Sequence, residues 1–183
     1  MNKVLLTLAL LFVGTANASL IYNVERVIGA GGVTGSITTD GFLGTLATNN
    51  IIDWDLTLND GSNTFNLIGP GNVGTNSDLL INGSSLTATN TDLLFDFSGV
   101  GLVLFQNPFT GSGINFWCVE GVNSACASSG SSTESLYLSS MSYVVNSGVV
   151  SIASTSSQSV PEPLSLALLC MGLFGLRFST KRK

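Results

Sequence analysis

The sequence predicts an all-β fold: one antiparallel β-sandwich of jelly-roll type, set between an N-terminal signal helix and a short C-terminal transmembrane helix. Three observations predict it. Between residues 19 and 160 the apolar residues fall in short blocks, several alternating with polar residues, which is the period of a half-buried strand. Asp40-Gly41, Asp60-Gly61 and Asn82-Gly83 punctuate those blocks with hairpin-type turn signals. No stretch in that region carries a sustained helical period, whereas both chain ends hold an apolar run.

Residues 20–28 alternate and form the expected first strand, closed by the flexible Gly29-Ala30-Gly31-Gly32. Residues 33–39 follow as the second strand. The clearest strand is 50–58. Its alternation puts Ile52, Trp54, Leu56 and Leu58 on one face and Asp53, Asp55 and Thr57 on the other. Asn59-Asp60-Gly61 turns the chain into 64–68, which stops at Gly69-Pro70-Gly71. After a loop over 71–78, short strands are expected at 79–81 and 86–88. Residues 92–97 alternate again, with Leu93, Phe95 and Phe97 inward and Asp92, Leu94 and Asp96 outward. Strands at 102–105 and 114–119 flank a turn at Asn107-Pro108. Residues 135–138 and 142–153 complete about ten strands at roughly 8–12-residue spacing, as in sandwiches. A Ser/Thr linker over 154–159, open to O-glycosylation by its composition, ends the domain.

The two ends carry addresses. Lys3 precedes an apolar stretch over 4–13, and Ala16-Asn17-Ala18 forms an A-x-A cleavage site with Ser19 as the new N-terminus. Residues 1–18 are therefore expected to be a signal peptide, handled by the Sec export machinery and signal peptidase. At the other end, Val160-Pro161-Glu162-Pro163 is held extended by its two prolines. Residues 164–176 follow, apolar apart from Ser165; as a helix they span about 20 Å, short of the ~30 Å hydrocarbon core. Arg177, Lys181, Arg182 and Lys183 form a basic stop that stays at the cytoplasmic side.

In that order, the motif, span and basic end resemble the PEP-CTERM sorting signal, a tail also labelled the ice-binding protein C-terminal domain. The resemblance covers residues 160–183. It implies export, transient anchoring in the inner membrane, and recognition by an exosortase, a membrane cysteine transpeptidase for which this chain would be substrate. It also implies a Gram-negative host that makes exopolysaccharide, and a destination at the cell surface or in the extracellular matrix. The ice-binding label belongs to the tail and implies no ice binding by the domain. The expected organisation is a signal peptide at 1–18, the exported sandwich at 19–153, the linker at 154–159 and the sorting signal at 160–183.

Those ends mask the charge of the domain between them. The whole chain is −5, yet residues 19–160 hold one basic residue, Arg26, against ten acidic ones, with no Lys and no His. A net charge near −9 excludes nucleic acid as a partner, because phosphate binding needs clustered Lys and Arg. Cations and neutral polymers such as exopolysaccharide stay compatible. The missing histidine also removes Ser-His-Asp and Cys-His catalysis, and no phosphate-binding or dinucleotide loop is present. The expectation is no enzyme and no cofactor.

Cys118 and Cys126 are expected to form a disulfide in an oxidising compartment, with Trp117 covering it. Zinc is poorly served, since structural sites want four Cys or His ligands. Asp53, Asp55, Asp92 and Asp96 are calcium candidates, or an acid and base pair of a glycosidase, if the fold gathers them. Otherwise they are solvated faces that keep strands soluble. Trp54, Trp117, Tyr22, Tyr137 and Tyr143 are candidates for a sugar-stacking platform, with core packing favoured for Trp54. The leading expectation is an exported structural protein associated with exopolysaccharide. A carbohydrate- or calcium-dependent binding module is the alternative, and a glycosidase the least supported.

Overall fold

The structure, a computed structural model, describes residues 18–123, 126 and 131–155. The apolar runs at the chain ends, the sorting motif and the basic stop lie outside the described residues. Thirteen strands form: β1 (Leu20–Ile28), β2 (Gly31–Thr39), β3 (Gly44–Thr45), β4 (Ile51–Asn59), β5 (Thr64–Ile68), β6 (Asp78–Gly83) and β7 (Leu86–Ala88), then β8 (Asp92–Asp96), β9 (Gly101–Gln106), β10 (Phe116–Val122), β11 (Ser131–Tyr137), β12 (Met141–Val145) and β13 (Val149–Ser154). Among the described residues, one 3₁₀ turn, Thr48–Asn50, interrupts them.

The strands make two antiparallel sheets. The larger runs β3-β7-β8-β13-β1-β2-β4-β5, the smaller β12-β11-β10-β9-β6. Inward-facing residues of both fill one core. Tyr22, Val24 and Ile28 of β1, Ile37 of β2, Leu56 and Leu58 of β4 and Phe95 of β8 meet Val103 and Phe105 of β9, Trp117 and Val119 of β10 and Leu136 of β11. Aromatic rings cross the middle. Trp54 meets Phe105 edge-on with centroids 5.5 Å apart, and Phe105 stacks on Trp117 at 5.5 Å. Contacts of this kind add ~0.5–1.5 kcal/mol each beyond burial.

Two charged groups enter this core as a pair. Arg26 occupies an inward position of β1, between Val24 and Ile28, and Glu134 faces it from β11 with no exposed surface. Arg26 Nη2 donates to Glu134 Oε2 at 2.6 Å, and its Nε donates to both carboxylate oxygens at 3.1 Å. Trp117 Nε1 donates to Glu134 Oε1 at 3.1 Å. The lone basic residue of the domain thus bridges the two sheets.

Two of the four sheet edges, β6 and β5, carry side-chain caps. The Thr48 hydroxyl accepts from Ile81 N–H at 3.0 Å on edge strand β6. On β5, the Asn76 side chain accepts from Ile68 N–H at 2.8 Å and donates to Asn66 C=O at 2.8 Å. Covered edges resist pairing with other chains.

Several elements differ from expectation. The 142–153 block, whose Ser147-Gly148 the sequence offers as a bulge or turn, is two separate strands, β12 and β13, parted at 146–148. A bulge shifts the β2–β4 pairing between Thr38 and Thr39, so Ile51 is buried and Ile52 turns out to solvent, 44% exposed. Ile52 therefore does not share the face of Trp54. Ser154 still belongs to β13, and Thr155 N–H donates to Thr91 C=O at 2.7 Å, so the start of the expected linker is tied to the sheet.

Candidate functional site

The two outer faces of the sandwich differ in chemistry. On the larger sheet, cross-strand rows read Glu25-Thr34-Thr57-Asn66 and Asn23-Ser36-Asp55-Ile68, mostly polar as an exposed antiparallel face should be, with Ile21, Val27 and Ile52 exposed singly beside them. The smaller sheet departs from that rule. Its outer face has three rows of five residues: Asp78-Gln106-Phe116-Tyr137-Met141, Leu80-Leu104-Cys118-Ser135-Tyr143 and Asn82-Leu102-Glu120-Thr133-Val145. Each row spans four strand steps, about 19 Å.

This face divides in two. At the β6–β9 side lies a groove of about 400 Å³, floored by Leu80, Leu102 and Leu104 and ended by Phe116 and Cys126. Its wall is the loop after β9, pinned by hydrogen bonds. Gly111 N–H donates to Gln106 Oε1 at 2.6 Å, and the Thr110 hydroxyl donates to Asp78 Oδ2 at 3.3 Å. At the β11–β12 side lies a ledge on which Met141, Tyr143 and Val145 are 41%, 55% and 67% exposed. Tyr137 stacks on Phe116 with centroids 5.8 Å apart, joining the ledge to the middle of the sheet.

Between groove and ledge sits the disulfide. Cys118 and Cys126 are bonded, with Cα atoms 6.2 Å apart. Fully buried Glu120, two residues along β10, accepts from Cys126 N–H at 2.6 Å and from the Thr133 hydroxyl at 2.6 Å. It ties the Cys126 segment onto the face. Among the described residues, Cys118, Glu120 and Cys126 are the one group of three potential metal ligands, within 4.8 Å of one another. Both sulfurs are already spent in the disulfide. Ser135 is also fully buried on this face, and its hydroxyl has no hydrogen-bond partner among the described residues.

Trp117 faces the core, opposite to the disulfide, so it does not cover it. Trp54, Trp117 and Tyr22 are core residues with 5% exposure or less and cannot stack on a ligand. Tyr22 donates to Thr89 C=O at 2.6 Å, and burial pushes its hydroxyl above the ordinary tyrosine pKa. Of the five aromatic candidates, Tyr137 and Tyr143 share the ledge.

The four aspartates are not brought together. β4, with Asp53 and Asp55, and β8, with Asp92 and Asp96, stand four strand steps apart in the larger sheet, about 19 Å. Three of them hold local structure. Asp53 accepts from Gly71 N–H at 3.0 Å and from the Asn72 amide at 2.7 Å. A Cβ on Gly71 would lie 2.7 Å from the Asp53 carboxyl carbon, so any larger residue there must push the Asp53 carboxylate aside. Asp92 accepts from the hydroxyls of Thr91 at 2.7 Å and Ser151 at 2.8 Å, which lower its pKa. Asp96 accepts from Ser98 N–H at 2.9 Å.

Three anchors escaped the sequence reading: Glu120, the Arg26–Glu134 pair and Asp60. Glu120 and Glu134 each sit in a buried strand, and Arg26 continues the inward alternation Tyr22, Val24, Arg26, Ile28. A charge in such a position is itself a signal of buried pairing. The third is Asp60. Its carboxylate accepts from Ser62 N–H, Asn63 N–H and the Ser139 hydroxyl at 2.9, 2.7 and 2.6 Å, linking the β4–β5 turn to the β11–β12 turn. The Ser139 hydroxyl and these backbone donors hold it well below the ordinary carboxylate pKa. Asp60 was legible only as a turn residue.

Ala18 and Ser19 are exposed and lead directly into β1, while Ala16 lies outside the described residues. So do Val160, Pro161, Glu162, Pro163, Arg177, Lys181, Arg182 and Lys183. Comparisons with protein-family models, curated proteins and solved structures give no match for this chain.

Proposed function

We propose that the chain is a non-enzymatic protein of the cell surface or extracellular matrix, exported through its signal peptide and sorted by an exosortase at its C-terminal tail. The sandwich, of jelly-roll type in this reading, then works by placement and association with exopolysaccharide. The observation that carries the association is the outer face of the five-stranded sheet, where leucines, tyrosines, methionine and valine face outward in adjoining rows. Apolar surface retained on an exposed face marks an interaction site. The Pro-Glu-Pro motif with its short span and basic stop supports the sorting step. Before processing, the apolar tail is the transient inner-membrane anchor.

A second reading, a carbohydrate-binding module, is favoured by the Tyr137–Tyr143 ledge on that same face. Calcium dependence and glycosidase action draw no support from the aspartates, which lie too far apart to share an ion or flank one glycosidic bond.

The test is cell fractionation with and without the exosortase. The protein should leave the inner membrane for the surface or matrix fraction in the parent strain and accumulate in the membrane in the mutant. The same distribution in both strains overturns the sorting step.

A further inference from the structure

We propose that the ledge on the five-stranded sheet binds an uncharged polysaccharide without calcium, with Tyr143 and Tyr137 as stacking surfaces and their hydroxyls as the polar groups beside them. The proposal rests on the reading of the chain as a displayed surface protein and names the ligand chemistry of its association face.

A sugar ring presents an apolar C–H face and a rim of hydroxyls. It needs flat apolar surface with a few polar groups nearby. The ledge supplies both. Tyr137 on β11 and Tyr143 on β12 are diagonal neighbours on one face, ~7–8 Å apart along the backbone grid. Tyr143 is 55% exposed, with Met141 and Val145 extending the apolar strip to either side along β12. Ser135 is the cross-strand partner of Tyr143, two residues before Tyr137 on the same face. Its hydroxyl is fully buried, without a hydrogen-bond partner among the described residues, so Ser135 floors the ledge while the tyrosines form its surface.

Charge selects among polymers. Arg26, the sole basic side chain of the domain, is committed to Glu134 between the sheets, so the acidic domain offers no cation to an acidic polysaccharide. The ledge strand β12, Met-Ser-Tyr-Val-Val, carries no charged residue. A neutral chain therefore escapes the repulsion that a polyuronate would meet. Calcium is not needed to orient the sugar, because the aspartates of the larger sheet face the opposite side of the sandwich.

The test is affinity electrophoresis of the full-length protein, purified from its host. Gels would contain hydroxyethylcellulose, galactomannan, dextran, alginate or the host's own exopolysaccharide, each with and without EDTA. At least one neutral polymer should retard the protein equally with and without chelator, and alginate should not. Tyr143→Ala should weaken retardation roughly tenfold, the scale of one lost ring contact. Tyr143→Phe should keep most of it, and Ile21→Ala on the opposite face should change nothing. Near-UV circular dichroism from Trp54 and Trp117 checks that each variant is folded.

Retardation by no neutral polymer, retardation by alginate alone, loss of binding in EDTA, or an unchanged Tyr143→Ala protein would each overturn the proposal. Its failure is separable from failure of the sorting reading. A protein released to the matrix that passes blank through every gel keeps the sorting and loses the ledge. A protein retarded as expected but never released from the membrane does the reverse.

Discussion

Removing Arg26 should be among the most damaging single changes available to the sandwich. Arg26→Leu preserves an apolar stem but leaves the Glu134 carboxylate fully buried, with Trp117 Nε1 as its remaining named side-chain donor. Three N–H···O contacts to Glu134 disappear, the shortest at 2.6 Å, together with the bond from Nη1 to Ser151 C=O at 3.1 Å. The Arg26 side chain is 19% exposed and that of Glu134 0%, so water can screen one end of the pair but cannot rescue the other. Breaking a buried pair by deleting one partner costs ~3–5 kcal/mol. That is a large part of the ~5–15 kcal/mol that holds a domain folded, and at this size it lowers Tm by roughly 10–15 °C. Replacing both partners, Arg26→Leu with Glu134→Leu, removes the stranded charge and should recover most of the loss. Urea melts followed by tryptophan fluorescence give both numbers, and a double-mutant cycle gives their coupling. A loss below about 1 kcal/mol for Arg26→Leu, the scale of an exposed pair, would refute the claim that this pair ties the sheets from inside.

Further outcomes follow from other contacts. Gly71→Ala should destabilise by ~1–3 kcal/mol through its clash with the Asp53 carboxylate, whereas Gly111→Ala, where no atom lies within 4 Å of the added carbon, should act only through its positive φ. Cys118→Ser with Cys126→Ser should cost about 2.6 kcal/mol for a nine-residue loop, read from the shift in urea midpoint at unchanged slope. Asp60 is held below its ordinary pKa of 3.8, so its contribution is fully present above that pH and is lost as pH falls through its depressed folded value. Asp60→Asn should therefore flatten the acid arm of the stability curve below about pH 4. An unchanged acid arm would remove Asp60 as the inter-turn anchor. Thermal melts should be the same in calcium and in EDTA, since the described aspartates do not converge; a clear calcium-dependent rise in Tm would contradict that.

Alternation carried much of the fold. It reads the two faces of 92–97 correctly and most of β4, because period-2 patterning survives wherever one face is buried. It failed at Ile52, the extra residue of a bulge in β4 itself, which resets the phase against β2, a tertiary feature with no local mark. It failed again at β10, where Phe116, Cys118 and Glu120 are buried on the outer side as well as Trp117 and Val119 on the inner. With both sides covered, the alternation vanishes. That is why Trp117 was placed against the disulfide when it faces the other way. The Cys118–Cys126 pairing itself was legible from spacing and compartment. The ledge was legible only as two of five aromatic residues, because separating Tyr137 and Tyr143 from Trp54, Trp117 and Tyr22 requires knowing which face of which sheet each one occupies. The aspartate pairs show the same limit in reverse: they share a sheet, but β13, β1 and β2 stand between them.

The central claim, export followed by exosortase sorting of a surface sandwich, is tested most directly by the intact mass of the protein recovered from the matrix fraction. The account predicts a chain that begins at Ser19 and has lost the apolar run and basic stop after Pro163, with the uncleaved tail found only in the strain without the exosortase. A matrix-borne protein that still carries Lys181, Arg182 and Lys183 in both strains would contradict it.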